Sequence, residues 1–143
     1  MTVGSMLAEK GNEVACAAPS MTLADVAQVL AEKKIGAIVV CDGDGILVGI
    51  LSERDIVRAV AKSGGDALSD TVDKHMTSSV VTVCSDDTIM AVMEKMSAGR
   101  FRHVPVMDKD KLIGIISIGD VVKRRIRQAE QEAEQMRSYI ASA

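Results

Sequence analysis

A chain of 143 residues with 48% hydrophobic side chains has the apolar material for one ordinary core. Its formal net charge is -3, from 17 basic and 20 acidic residues, and it holds one Phe, one Tyr and no Trp. An acidic chain with so few aromatic platforms for stacking bases disfavours nucleic acid as the main partner.

The stretch Met1 to Lys10 lacks the basic start and long apolar run of a signal peptide, and no apolar run approaches membrane-spanning length. A cytoplasmic location without a membrane partner is expected. Thr2-Val3-Gly4-Ser5-Met6-Leu7 reads as a short lead-in that is similar to Thr71-Val72-Asp73-Lys74-His75-Met76. A short strand is predicted around Val14 to Ala18. Leu23, Val26, Ala27 and Leu30 then recur with amphipathic-helix spacing, and Thr22 and Asp25 stand at capping-box separation. The apolar runs Ala37 to Cys41 and Ile46 to Leu51 flank an Asp-bearing turn and predict a strand hairpin, after which a second helix starts near Glu53.

The whole series then returns. Thr22 falls on Thr88, Val26 on Val92 and Val40 on Val106 at a spacing of 66, and Gly49 falls on Gly114 at 65. The second copy predicts a strand at Val80 to Cys84 and a helix carrying Ile89, Val92, Met93 and Met96. A hairpin of Val104 to Met107 and Leu112 to Ser117 follows, with a helix from near Ile118. The fold class is α/β (α+β), with two pseudo-symmetric β-α-β-β-α repeats. Repeats this small bury too little surface alone, so they are expected to pack as one module. The expected divisions are 2–65, 71–125 and a helical tail at 126–143. In that tail Val122, Ile126, Ala129, Ala133, Met136 and Ile140 step by 4, 3, 4, 3 and 4, a heptad-like seam. Its two alanines make a weak coiled coil, so the tail is expected to lie on its own module or to cap a dimer.

Cys16, Cys41 and Cys84 are odd in number and lack C-x-x-C spacing, which predicts reduced, structural thiols. Asp42-Gly43-Asp44-Gly45 followed by Glu53 imitates a calcium loop, but Ile46 and Leu47 occupy positions where a ligand and a glycine are needed. It reads as a hairpin turn. His75 and His103 have no partners at metal-site spacing, so no structural metal is expected, although magnesium would accompany a polyphosphate.

The most informative motif is Gly-x-x-Ser-x-x-Asp, present as Gly49 to Asp55 and as Gly114 to Asp120. A Ser and an Asp so spaced at a helix start form a capping box, which needs no ligand. Free amides at the same place attract phosphate, so the two roles can coexist.

This doubled motif, with Arg100-Phe101-Arg102-His103-Val104-Pro105-Val106, Asp108 and Gly114, resembles the CBS domain, and the tandem resembles a CBS pair, or Bateman module, over about residues 2–125. The resemblance implies adenosine-nucleotide binding in clefts between the copies. Asp55 and Asp120 would accept from ribose hydroxyls, Ser52 and Ser117 would bond phosphate or ribose, and Ile50 and Ile115 would lie against adenine. Ala18, Leu23 and Ile35 would face the second motif, and Cys84, Ile89 and Phe101 the first. Backbone near Ala37 and His103 would read the adenine edge, with Val104 and Pro105 continuing that segment. Arg102 and His103 are candidates for anion contact. Arg54 precedes Asp55 where Gly119 precedes Asp120, so unequal clefts are expected. Val39 replaces the Pro seen at Pro105, and Ser52 and Ser117 stand where Thr is commoner in the family.

The function so implied is a non-enzymatic adenine-nucleotide sensor that regulates a separate, unidentified protein and forms a homodimer. AMP is the first-choice ligand, with ADP, ATP and NAD(H) as further candidates and S-adenosylmethionine behind them. The alternatives are a structural dimerisation module without ligand and, less favoured, a nucleotide-hydrolysing enzyme using Asp55 or Asp120 as base. Against an enzyme stand the absence of a Gly-rich phosphate loop with Lys and of a nucleophile with an evident base.

Overall fold

The computed structural model describes residues 1–142. In chain order it runs α1 (Val3–Lys10), β1 (Cys16–Ala17), α2 (Leu23–Lys33), β2 (Ala37–Cys41), β3 (Leu47–Ser52) and α3 (Glu53–Ser63). Two 3-10 turns, Gly64–Ser69 and Val72–Lys74, lead to α4 (Ile89–Gly99), β4 (His103–Asp108), β5 (Lys111–Ser117) and α5 (Ile118–Ser142). The helices begin at hydroxyl caps that satisfy early amides: Thr22 accepts from the Asp25 N–H at 3.2 Å, and Thr88 from the Ala91 N–H at 3.1 Å. Each hairpin is antiparallel, with Ala37 opposite Ser52 in the first and His103 opposite Ser117 in the second.

The first copy has a three-stranded sheet in the order β1-β2-β3, whereas the second has only β4-β5. The strand expected at Val80 to Cys84 is reduced to one parallel bridge, Val83 to Val106. The cause is Pro105. Val83 donates to the Pro105 carbonyl at 3.1 Å and accepts from the Met107 N–H at 2.8 Å. The next rung toward the N-terminus needs an N–H from residue 105, which proline does not have. In the first copy Val39 stands there, and Cys16 and Ala17 pair with Val39 and Val40.

Two hydrophobic clusters form the core, and each includes residues of the segment that leads into the other copy. Val3, Met6 and Leu7 of α1 pack with Val83, Ile89, Val92, Val104 and Ile116 of the second copy. Ala67 and Val72, which precede the second copy, pack with Leu23, Val26, Ile38 and Leu51 of the first. The exchange is matched in detail by backbone bridges from Thr2 to Thr88 and from Thr71 to Thr22.

The glycine opening each motif makes that crossing fit. A Cβ on Gly114 would stand 2.7 Å from Leu7 Cδ2, and one on Gly49 would stand 2.5 Å from Met76 Sδ. Leu7 and Met76 hold corresponding places in the two lead-ins, so each glycine removes the atom that would push its lead-in away.

Of the two placements expected for the tail, lying on its own module or capping a dimer, α5 shows little of the first. Val121 is buried, but from Ala129 to Ser142 every residue is exposed. The seam residues Ile126, Met136 and Ile140 are 55%, 59% and 67% exposed.

Candidate functional site: two clefts between the repeats

The two motifs open into two clefts related by the internal pseudo-symmetry. Cleft 1, with a cavity volume of about 310 Å³, is bounded by Ile50, Ser52, Arg54, Asp55 and Arg58 from the first copy. Val80, Val81, Arg100, Phe101, Arg102 and His103 close it from the second. Cleft 2, about 530 Å³, is bounded by Ile115, Ser117, Asp120 and Lys123, with Ala15, Lys34 and Ile35 closing it from the first copy and Lys10 from α1. Both volumes fall within the roughly 300–1,000 Å³ of small-molecule sites.

At each motif the strand end delivers the Ser and the first helical turn delivers the Asp. In cleft 1 the Ser52 N–H donates to Asp55 Oδ2 at 2.8 Å, the Ser52 hydroxyl donates to the same oxygen at 3.1 Å, and the Asp55 N–H donates to Ser52 Oγ at 3.3 Å. This is a complete capping box. In cleft 2 the Ser117 N–H donates to Asp120 Oδ2 at 2.9 Å, and the Asp120 N–H donates to Ser117 Oγ at 3.1 Å. In both copies the Ser N–H donates to the Asp Oδ2, and at Asp55 this leaves Oδ1 to another partner. For Asp55 that partner is the Arg58 guanidinium, at 3.8 Å.

Cleft 2 carries one contact without a counterpart in cleft 1. Lys10 Nζ lies 2.5 Å from Asp120 Oδ2 and 2.7 Å from the Ile115 carbonyl oxygen. Burial alone would raise the Asp120 carboxyl. The Lys10 hydrogen bond, the Ser117 N–H and the Lys10 charge outweigh it and hold the group below the usual carboxylate range. His103 borders both clefts. Burial and then the Arg102 charge push its imidazole below the ordinary histidine range, against the pull of Glu53 and Asp120.

Both walls are cationic in a chain that is acidic overall. Cleft 1 presents Arg54, Arg58, Arg100 and Arg102 against Glu53 and Asp55. Cleft 2 presents Lys10, Lys33, Lys34 and Lys123 against Glu13 and Asp120. Among the described residues no group of three His, Cys, Asp or Glu side chains is placed to hold a metal ion. No helix among them is long and apolar enough to cross a membrane.

Of the residues singled out from the sequence, the structure brings Ile50, Ser52, Arg54, Asp55, Phe101 and Arg102 to cleft 1 and Ile35, Ile115, Ser117 and Asp120 to cleft 2, while Ala37 and His103 border both. It does not bring Leu23 or Ile89 to either wall: their side chains are core residues of α2 and α4. Val104 is likewise a core residue, and Pro105 is buried beside it. Ala18 and Cys84 are exposed outside the clefts, and the walls are made three residues earlier by Ala15 and Val81. The repeat alignment contains a signal for residues that sequence reasoning missed. At spacing 66, Lys34 falls on Arg100, and at spacing 65, Arg58 falls on Lys123; each pair puts one cation on each cleft. Lys34 and Arg100 also share a left-handed backbone, with φ of 54° and 56°.

Comparisons with known proteins agree with this geometry. The family description of the CBS domain matches residues 10–62 and 70–127. A CBS-domain containing protein from Agrobacterium tumefaciens has a structure with a TM-score of 0.85 at 46% identity, covering 87% of this chain and 92% of that one. A CBS domain protein from Pyrobaculum aerophilum, complexed with AMP, has a TM-score of 0.75 at 30% identity, over 84% of this chain and 89% of that one. A CBS domain pair in complex with 5'-methylthioadenosine and S-adenosyl-L-methionine has a TM-score of 0.80 at 26% identity, over 90% and 98% of the two chains. The chain spans 60% and 63% of the length of two curated relatives that it matches at 31% and 36% identity. Its doubled motif, its two matched repeats and their shared clefts make this chain a member of the CBS domain family.

Proposed function

We propose that the chain is a non-enzymatic regulatory module that binds adenine nucleotides, AMP first among them, between its two repeats and passes the occupancy to a separate protein. The observation that carries this reading is charge placement. Each Ser-x-x-Asp helix start opens into a cleft that holds four cations against two carboxylates, while the chain as a whole is acidic. Asp55 or Asp120 would accept from the ribose hydroxyls, and the arginines or lysines would face the phosphate. The solved relatives with AMP and with S-adenosyl-L-methionine support an adenosine ligand. The cationic walls favour a phosphorylated one, with ADP, ATP and NAD(H) behind AMP.

Regulation requires that the nucleotide bind two arrangements of the module unequally. Cleft 2 offers a route, since a ligand reaching Asp120 must contend with Lys10 and therefore with α1.

The test is calorimetric titration of nucleotide-free protein with AMP, adenosine, ATP, NADH and S-adenosylmethionine, repeated on Asp55→Asn and Asp120→Asn. AMP binding more tightly than adenosine, with one site lost in each variant, is the expected result. Binding of none of the five would leave a structural module whose Ser-x-x-Asp boxes only cap helices. Turnover of AMP, ATP or NADH by pure protein would make it an enzyme.

A further inference from the structure

We infer that Cys16 and Cys41 form a dithiol modification site that is oxidised by exchange with a small-molecule disulfide, and that closing the bond draws one wall out of cleft 2. The exchange does not rest on nucleotide binding, whereas its effect on a ligand rests on the reading above. Cys16 opens β1 and Cys41 closes β2; their sulfurs lie 3.8 Å apart, and the Cys41 thiol donates to Cys16 Sγ. Both are free, Cys16 exposed and Cys41 partly buried, so a solute meets Cys16 first. Burial, then the neighbouring Cys16 and the charge of Asp42, push the Cys41 thiol up to about 11, which keeps it protonated until its partner has reacted. The pairing is set by register. β1 runs parallel to β2 with Cys16 opposite Val39. Side chains alternate along a strand, so Cys41, two residues past Val39, shares the face of Cys16, while Ala17, Ile38 and Val40 turn to the core. Thr82 and Met107 stand at the corresponding places in the second copy, so the site belongs to the first copy alone.

The exchange has two steps. The Cys16 thiolate attacks one sulfur of the small disulfide, whose S–S bond breaks and releases one thiolate, leaving a mixed disulfide on Cys16. Cys41 then gives its proton to the released thiolate and attacks Cys16 Sγ, so the protein disulfide forms as the mixed one breaks and the second small thiolate leaves. Two protein thiols are oxidised, and one disulfide is reduced to two thiols. A disulfide holds its sulfurs at about 2.05 Å, so the pair must close from 3.8 Å. Because Cys41 lies beyond Val39 along β2, closure moves Cys16 toward the C-terminal end of that strand. β1 is the element that yields, since it pairs over two residues on one side, whereas β2 is held between β1 and β3. Glu13 and Ala15, just before Cys16, line cleft 2 beside Ala37 at the N-terminal end of β2, so the same movement draws them out of the cleft. Cleft 1 takes no residue from this segment.

The experiment treats the Cys84→Ser protein with oxidised glutathione, blocks the remaining thiols with iodoacetamide and maps the products by mass spectrometry. A chain lighter by two hydrogens, free of glutathione, with Cys16 joined to Cys41 and the bond reversed by dithiothreitol, is the expected result. Cys41→Ser in the same background should stop with one glutathione on Cys16. Hydrogen exchange across residues 13–18 should change on bridging, while that across 54–58 at cleft 1 stays level. A lasting glutathione adduct on Cys16 of the Cys84→Ser protein, or alkylation of both thiols, would overturn the exchange, and an unmoved 13–18 segment would overturn its reach to cleft 2. AMP titration of the reduced protein reads the binding function separately. On the bridged protein AMP should bind cleft 2 several-fold more weakly and cleft 1 as before, and equal affinities in both states would cut the link between the thiols and the ligand.

Discussion

The imidazole of His103 lies over Gly36: a Cβ on residue 36 would stand 3.2 Å from its Cε1 and 3.3 Å from its Nε2. By the repeat alignment Gly36 is the counterpart of Arg102, and Ala37 that of His103, so one copy supplies the side chains and the other the space for them. Both residues border both clefts, so this contact is shared by the two. Gly36→Val should force His103 aside and weaken AMP binding in both clefts by about tenfold, ~1.4 kcal/mol. Calorimetry showing either cleft unaffected would mean that the contact fills space only.

The state of His103 makes a prediction in pH. Its imidazole is held below the ordinary histidine value by burial and by Arg102, so the folded protein favours the neutral ring. Its contribution to stability is fully present above an unfolded value of about 6.5 and is lost as pH falls through the lower folded value. A bound phosphate reverses the preference, because an anion nearby stabilises imidazolium. AMP affinity should therefore rise as pH is lowered from about 8 to about 6, and His103→Gln should flatten that dependence. A wild-type affinity that is level across this window would remove His103 from phosphate recognition.

Asp120 titrates in the same sense at lower pH. Lys10 and Ser117 overcome burial and hold its carboxyl low, so its stabilising contribution is present above an unfolded value of about 3.9 and fades as pH falls through the folded one. Both side chains of the Lys10 pair are partly solvated, at 32% and 21% exposure, so the pair contributes at most about 1 kcal/mol. The larger effect of Lys10→Met should be on ligand choice. Adenosine should bind cleft 2 more tightly, because Asp120 is released, while the preference for AMP over adenosine falls with the lost positive charge. An unchanged AMP-to-adenosine ratio would assign Lys10 a purely structural part.

The motif glycines should be intolerant for reasons of volume. Gly114→Ala drives a methyl into Leu7, and Gly49→Ala drives one into Met76. Each should cost about 1–3 kcal/mol as over-packing, read from denaturant midpoints. Leu7→Ala should recover part of the loss in Gly114→Ala and none in Gly49→Ala, and recovery in both would refute the separate pairing.

The helices and hairpins were legible because each is written in a local period: the Leu23, Val26, Leu30 stripe, the Thr22 and Thr88 caps, and the apolar runs on either side of an Asp-bearing turn. The cap role of Ser52 and Ser117 was equally local. The crossing of the lead-ins was not, since nothing near Leu7 says that it will meet Gly114. The cleft walls failed in a related way. Ala15 and Val81, rather than Ala18 and Cys84, face the opposite motif, because the path of the strand segment before each first helix is decided by the sheet it joins. Leu23 and Ile89 begin apolar helical stripes, and the same stripe that makes them recognisable turns them into the core. The second copy's missing strand was visible in principle, since Pro105 cannot supply the N–H that the outer rung requires.

The crossed lead-ins have a meaning for how the chain can be divided. Exchange of an equivalent segment between two copies of a unit is the geometry of a domain-swapped dimer, here held within one polypeptide. A cut between the repeats, anywhere from Ser63 to Asp70, would leave the first fragment carrying α1 without the core it covers, and the second fragment with Val3, Met6 and Leu7 missing from its own. Neither half is therefore an autonomous folding unit. The two fragments mixed together hold every contact of the intact protein, so they should recover its fold as a complemented pair, at a concentration that reports how strongly one repeat recognises the other.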